Sequence, residues 1–219
     1  MKFTGRSFKG LLVDLDGVLH VGSEPIPGAV EFVARLRSKA IPHLFLTNTT
    51  TRSIRSLESK LVHMGFPIAR ESILSAPEAA KSYLKKHGIN RCDLLLTEDV
   101  LEDFKEFRRV NSSVEAVVIG DIGDRWDYDL LNRVFREIDD GAEFIALHRN
   151  KYWKTEAGLQ MDIGAFVAGL EYVTGREATI IGKPAPAFFE AALSRLGLSA
   201  DSVAMIGDDI ESDVGGAQG

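Results

Sequence analysis

Short apolar runs alternate with amphipathic stretches along the whole chain. The runs lie at 10–13, 43–46, 94–96, 116–119, 144–147, 179–181 and 203–206 and are rich in Leu, Ile, Val and Phe. They are apolar at consecutive rather than alternate positions, as expected of strands buried on both faces. Between them, positions 29–39, 53–64, 77–87, 128–139, 163–174 and 186–196 carry apolar residues at helical spacing. Strand and helix in alternation predict an α/β protein with a parallel sheet.

Three of the runs end in polar clusters. Leu11 to Val13 stop at Asp14, Leu15, Asp16 and Gly17; His43 to Leu46 stop at Thr47 and Asn48; Val203 to Ile206 stop at Gly207, Asp208 and Asp209. Helix capping explains one such cluster, but less readily three together. Open parallel sheets bind ligands outside the carboxyl ends of their strands, so neighbouring strands would bring these clusters to one rim.

The residue types in them suit phosphoryl transfer, which needs a placed nucleophile, neutralised oxygens and a proton for the leaving group. Asp14 can attack phosphorus as a carboxylate and form an aspartyl phosphate. Asp16, two positions on and so on the same side of an extended segment, can protonate the leaving oxygen and then deprotonate the attacking water. Carboxylates repel a phosphate, so a hard divalent cation, Mg2+, is expected between them. Its ligands would be the Asp14 and Asp208 carboxylates and the Asp16 main-chain carbonyl, with Asp209 and Asp213 orienting ligands or holding waters. Thr47 and Asn48, followed by Thr49, Thr50 and Thr51 ahead of a helix, offer a hydroxyl and N–H groups to phosphate oxygens. Lys183, between Gly182 and Pro184 after a strand, can add a point charge.

Composition narrows the picture. With 219 residues, one domain carrying a large insertion is expected; 45% hydrophobic and 26% charged residues describe a globular chain able to bury a core. A net charge of -6 excludes a broad basic footprint, so no nucleic-acid partner is expected. Cys92 is the only cysteine, which excludes an internal disulfide and a Cys-based zinc cluster and fits a reducing cytoplasm. The five histidines show no metal-ligand spacing. Leu11 to Val13 is too short a run for a signal peptide or membrane span, so neither export nor a membrane partner is expected.

Four motifs then fall in a recognisable order: Asp14-Leu15-Asp16-Gly17-Val18-Leu19, Thr47-Asn48, Lys183-Pro184, and Gly207-Asp208-Asp209 with Asp213. In that order they resemble the motifs of haloacid dehalogenase superfamily hydrolases. The long stretch between Asn48 and Lys183, and Arg52 shortly after Thr47-Asn48, resemble the NagD-like subclass with its C2-type cap. Residues 149–218 are similar to the phospholysine phosphohistidine inorganic pyrophosphate phosphatase branch, through Tyr152-Trp153-Lys154, Gly158-Leu159, Asp162-Ile163-Gly164, Leu170-Glu171-Tyr172 and the run from Asp213 to Gln218.

The resemblance implies a Rossmann-like, doubly wound parallel-sheet core made of residues 1–79 and 178–219, interrupted by an inserted α/β cap at 80–177. It implies a magnesium-dependent phosphatase acting on small phosphate monoesters, pyrophosphate or phosphoramidates, and a homodimer formed through the cap. Tyr152, Trp153 and Asp162 are the cap positions expected to face the substrate, although packing and helix capping would also account for them. Family members continue beyond the fourth motif, so the resemblance implies further chain completing the sheet after Gly219. A carbon–halogen hydrolase is disfavoured by Asp16, since that chemistry needs neither this acid nor a metal. A phosphomutase stays open, and a phosphorylation switch lacks the insertion and the second acid.

Overall fold

The computed structural model describes residues 2–3, 6–155 and 158–219. In chain order the main strands are β1 (Gly10–Asp14), β2 (His43–Thr47), β3 (Ile73–Ser75), β4 (Arg91–Leu95), β5 (Arg108–Arg109), β6 (Ala116–Ile119), β7 (Glu143–Ala146), β8 (Tyr152–Thr155), β9 (Gly158–Met161), β10 (Thr179–Ile180) and β11 (Val203–Ile206). The helices are α1 (Ala29–Ser38), α2 (Ile54–His63), α3 (Ala76–Lys86), α4 (Glu98–Leu101), α5 (Tyr128–Asp139), α6 (Gly164–Thr174) and α7 (Pro186–Leu196), with shorter turns between.

The chain divides into two compact units. One is Met1–Asn48, Ile54–Ser75 and Gly182–Gly219; the other is Thr49–Ser53 and Ala76–Ile181. The changeovers at 75/76 and 181/182 lie a few residues from the expected 79/80 and 177/178. Pairing explains the second: β10 bonds to β7, which keeps Thr179 and Ile180 with the inserted unit.

In the first unit a four-stranded parallel sheet runs β11-β1-β2-β3. All five residues of β1 are buried, as a central strand covered on both faces requires. Val33 and Leu36 of α1 and Leu57 and Leu61 of α2 join Leu11, Val13, Phe45 and Ile73 in one core. Chain order proceeds from β1 to β2 to β3 on one side, while β11 returns to the other side of β1. Strand order therefore reverses between β1 and β11, and the crevice at such a switch point is where open α/β sheets bind ligands.

The second unit has its own parallel sheet, β10-β7-β6-β4-β5, with Val134 and Ile138 of α5 and Val167 and Leu170 of α6 packed on it. An antiparallel hairpin, β8-β9, leaves Tyr152, Trp153, Leu159 and Met161 exposed. Neither β3 nor this hairpin is among the strands the apolar runs predict. Three residues are too few to show a period in β3, and Tyr152, Trp153 and all four residues of β9 are exposed, so burial imposes no period on them. Among the described residues no helix is long and apolar enough to cross a membrane.

Candidate active site

Register brings the polar ends of the strands together. Asp14, the last residue of β1, sits opposite Leu46, one residue before Thr47, while Val13 pairs with Ile206, one residue before Gly207. Lys183 approaches the same place from the start of the α7 segment. Its Nζ donates to Asp14 Oδ1 at 2.5 Å and to Asp213 Oδ1 at 2.6 Å. All three of these side chains are buried. Asp213 Oδ2 also accepts the Asp209 N–H at 3.2 Å, which ties the turn after β11 back onto the ion pair.

Asn48 fixes Lys183 from the opposite side. Its Nδ2 donates to the Lys183 carbonyl at 2.8 Å, and its Oδ1 accepts the Lys183 N–H at 2.8 Å. Two glycines permit the close packing. Gly17 has φ +80, and a Cβ there would stand 2.1 Å from Asp208 Oδ2; a Cβ on Gly207 would stand 2.3 Å from the Asp213 side chain. Larger residues at either position would displace the carboxylates.

Carboxylate oxygens of Asp14, Asp208 and Asp213 lie within 4.8 Å of one another, and the Lys183 ammonium bonds to two of the three. The electrostatics register this imbalance. Burial pushes Asp14 up to about 7; Lys183 opposes that rise and Asp213 adds to it. Burial pulls Lys183 down, but Asp14 and Asp213 outweigh it and the ammonium is held above its ordinary value. Partial burial also raises Asp208. Clustered carboxylate oxygens with excess negative charge are the donor set a hard divalent cation takes, so these residues fit Mg2+. A cation beside Asp14 would return it to the ionised state that a nucleophile needs.

Other predicted residues take more specific places. Thr47 is buried at the end of β2, opposite Ser75. Asp209 Oδ1 accepts the Ser212 N–H at 2.7 Å and so caps the following turn, which holds its carboxyl below the usual range. The threonine run after Asn48 is drawn into the second unit: the Thr50 hydroxyl accepts the Asp121 N–H at 3.1 Å, and Ser53 donates to both oxygens of Asp99. Tyr152 and Trp153 are exposed on the second unit's hairpin, so they are not core aromatics. Asp162 is buried in that unit, where Oδ1 accepts the Ile163 N–H at 2.7 Å and burial raises the carboxyl to about 6.

Sequence reading missed three features of this site. Asn48 positions Lys183 through the main chain, and Asp213 bonds directly to the Lys183 ammonium. The third is His20, 2% exposed, whose Nδ1 lies 3.6 Å from Asp16 Oδ1. Burial holds its imidazole below the ordinary value against the pull of Asp16. A histidine four residues after a DxD motif was the available signal, though spacing alone did not give its direction.

Residues 11–108 match the family model described as haloacid dehalogenase-like hydrolase, and residues 180–219 match a second described as HAD-hydrolase-like. The chain is 40% identical over 215 residues to haloacid dehalogenase-like hydrolase domain-containing protein 2 of Bos taurus, covering 98% of this chain and 82% of the relative. It is 38% identical over 216 residues to phospholysine phosphohistidine inorganic pyrophosphate phosphatase of Mus musculus, covering 96% and 79%. Among solved structures, a p-nitrophenyl phosphatase from Archaeoglobus fulgidus has a TM-score of 0.90 at 28% identity, covering 97% of this chain and 83% of that one. Motif order, sheet topology and identity near 40% across nearly the whole chain agree: this chain belongs to the haloacid dehalogenase-like hydrolase family.

Proposed function

We propose that the chain is a magnesium-dependent phosphatase that hydrolyses small phosphate monoesters, pyrophosphate or phosphoramidates through an aspartyl phosphate on Asp14. The observation that carries this reading is the Lys183 ammonium bonded to Asp14 at 2.5 Å, beside two further carboxylates at the switch point of the sheet. The activities for which the mouse and Archaeoglobus relatives are named support it.

In this mechanism an Asp14 oxygen attacks phosphorus, the bond to the leaving oxygen breaks, and Asp16 gives that oxygen its proton. A water then attacks the aspartyl phosphate, Asp16 takes the water's proton, and Asp14 is released with inorganic phosphate. Lys183 keeps Asp14 placed and offsets its charge, and Asn48 keeps Lys183 placed. The Thr47 hydroxyl and nearby N–H groups take phosphate oxygens. The carboxylates of Asp14 and Asp208 and the Asp16 carbonyl would hold Mg2+, with Asp213 orienting the set; the bound ion supplies positive charge against the phosphoryl oxygens.

The inserted unit is assigned the role of cap, with Tyr152, Trp153 and Asp162 as its specificity residues. A homodimer through that unit and a cytoplasmic location complete the reading. The test is turnover of p-nitrophenyl phosphate with Mg2+. Steady turnover that is lost in Asp14→Asn supports it. A single stoichiometric burst would instead indicate a phosphorylation switch, and full activity in Asp14→Asn would remove Asp14 from the mechanism.

A further inference from the structure

We propose that His20 is a positioning residue for Asp16: its Nδ1–H engages Asp16 Oδ1 and leaves Oδ2 turned toward the leaving group. The inference rests on the general-acid role given to Asp16 above. The backbone binds the two residues into one turn. Gly17 N–H donates to the His20 carbonyl at 2.9 Å, His20 N–H donates to the Leu15 carbonyl at 3.3 Å, and Asp16 and His20 form an isolated bridge. Inside that turn the imidazole is enclosed; the Gly22 backbone hydrogen-bonds to the ring, and Nδ1 has no hydrogen-bond partner among the described residues.

Buried ring nitrogens are normally bonded, so an orphan aimed at a carboxylate 3.6 Å away marks an interaction waiting to close. That separation exceeds hydrogen-bond length, but the Asp16 side chain is 57% exposed and has room to turn. A carboxyl gripped at one oxygen can rotate no further about its last bond, and the other oxygen then carries the proton in a fixed direction. The proton balance leaves His20 unchanged. As the Asp14–phosphorus bond forms and the leaving group departs with its electron pair, the proton moves from Asp16 Oδ2 to the leaving oxygen, while Nδ1 keeps its hydrogen.

Leaving-group dependence separates this role from simple packing. A nitrophenolate departs without a proton, whereas an alkoxide needs one. The measurement is kcat/KM with Mg2+ on p-nitrophenyl phosphate and on 2-glycerol phosphate, for wild type, His20→Leu, His20→Asn and His20→Gln. This parameter covers the steps through leaving-group departure and is blind to breakdown of the shared aspartyl phosphate. His20→Leu is expected to lower the glycerol phosphate value about 10- to 100-fold more than the nitrophenyl value. His20→Asn, whose amide N–H occupies the place of Nδ1, should restore most of that difference. His20→Gln, whose amide reaches the place of Nε2, should not. Equal losses on both substrates, or Asn and Gln behaving alike, would overturn the assignment of His20 while leaving the phosphatase reading intact; the Asn and Gln pair decides the matter even if the Leu variant fails to fold. A wild-type protein that turns over neither substrate would overturn both.

Discussion

Raising the pH through neutrality in metal-free buffer should destabilise this protein, and Asp14 should be the reason. Its carboxyl is lifted from an ordinary 3.8 to about 7 by burial, with Lys183 opposing. A group whose folded value is the higher one binds more protons when folded. Its contribution is therefore complete below 3.8 and is lost as the pH climbs through about 7. The rise from 3.8 to about 7 spans roughly three pH units. At ~1.4 kcal/mol each, the order of magnitude is ~4 kcal/mol, already net of the attraction to Lys183. Against a typical total of ~5–15 kcal/mol, that is a large effect. Urea unfolding in EDTA, from about pH 4 to mildly alkaline buffer so that the window from 3.8 to about 7 is spanned, measures it in wild type and in Asp14→Asn. Wild type should lose stability across the window, whereas the variant, which resembles the protonated form, should lose little and end the more stable of the two. Mg2+ should restore wild type at alkaline pH and help the variant less. A flat wild-type profile, or the same slope in both proteins, would refute the assignment of the perturbed carboxyl to Asp14.

Three further outcomes follow from the geometry. Gly17→Ala, forced into φ +80 with its Cβ 2.1 Å from Asp208 Oδ2, should cost ~1–2 kcal/mol in urea unfolding, and displacement of Asp208 should lower kcat by ~100-fold. Asn48→Ala leaves the Lys183 carbonyl and N–H without their partner, so a loss of ~1–3 kcal/mol in urea midpoint and a fall in kcat are expected. In the second unit, burial depresses His148 from 6.5 to about 4, so its contribution is complete above 6.5 and is lost as the pH falls toward 4; unfolding of His148→Gln should show a shallower acid-side decline, by about 3 kcal/mol in all.

Much of this architecture is legible in the sequence because β6 and β11 are apolar throughout and β1 and β2 carry three apolar residues in a row, each strand leading into a polar cluster. A strand covered on both faces, as β1 and β6 are, is written this way. The three-residue β3 and the exposed β8-β9 hairpin carry no such constraint, and neither stands out. The candidate site was readable as residue types on three strand ends, but the bonds among them were not. Asn48 reads as a phosphate-binding position, and nothing in the sequence shows that its side-chain amide also bonds to a main chain 135 positions away. Asp209 and Asp213 are indistinguishable by spacing. One caps its own turn, and the other reaches Lys183, because Gly207 leaves room for the Asp213 side chain to fold inward.

The energetics of that inward fold bear on what the cluster is for. Burying two carboxylates against one ammonium, with a third carboxylate close by, is a poor way to stabilise a core, since well-packed apolar side chains of similar volume would serve as well or better. Gly17 and Gly207 add backbone entropy to the cost of folding, and both are crowded by these carboxylates. The cluster at the ends of β1 and β11 is therefore poorly explained as a device for stability. On the function proposed above, such an arrangement is retained for its chemistry: its excess negative charge attracts a small dication, and the dication in turn offsets the repulsion between the carboxylates and a phosphoryl group.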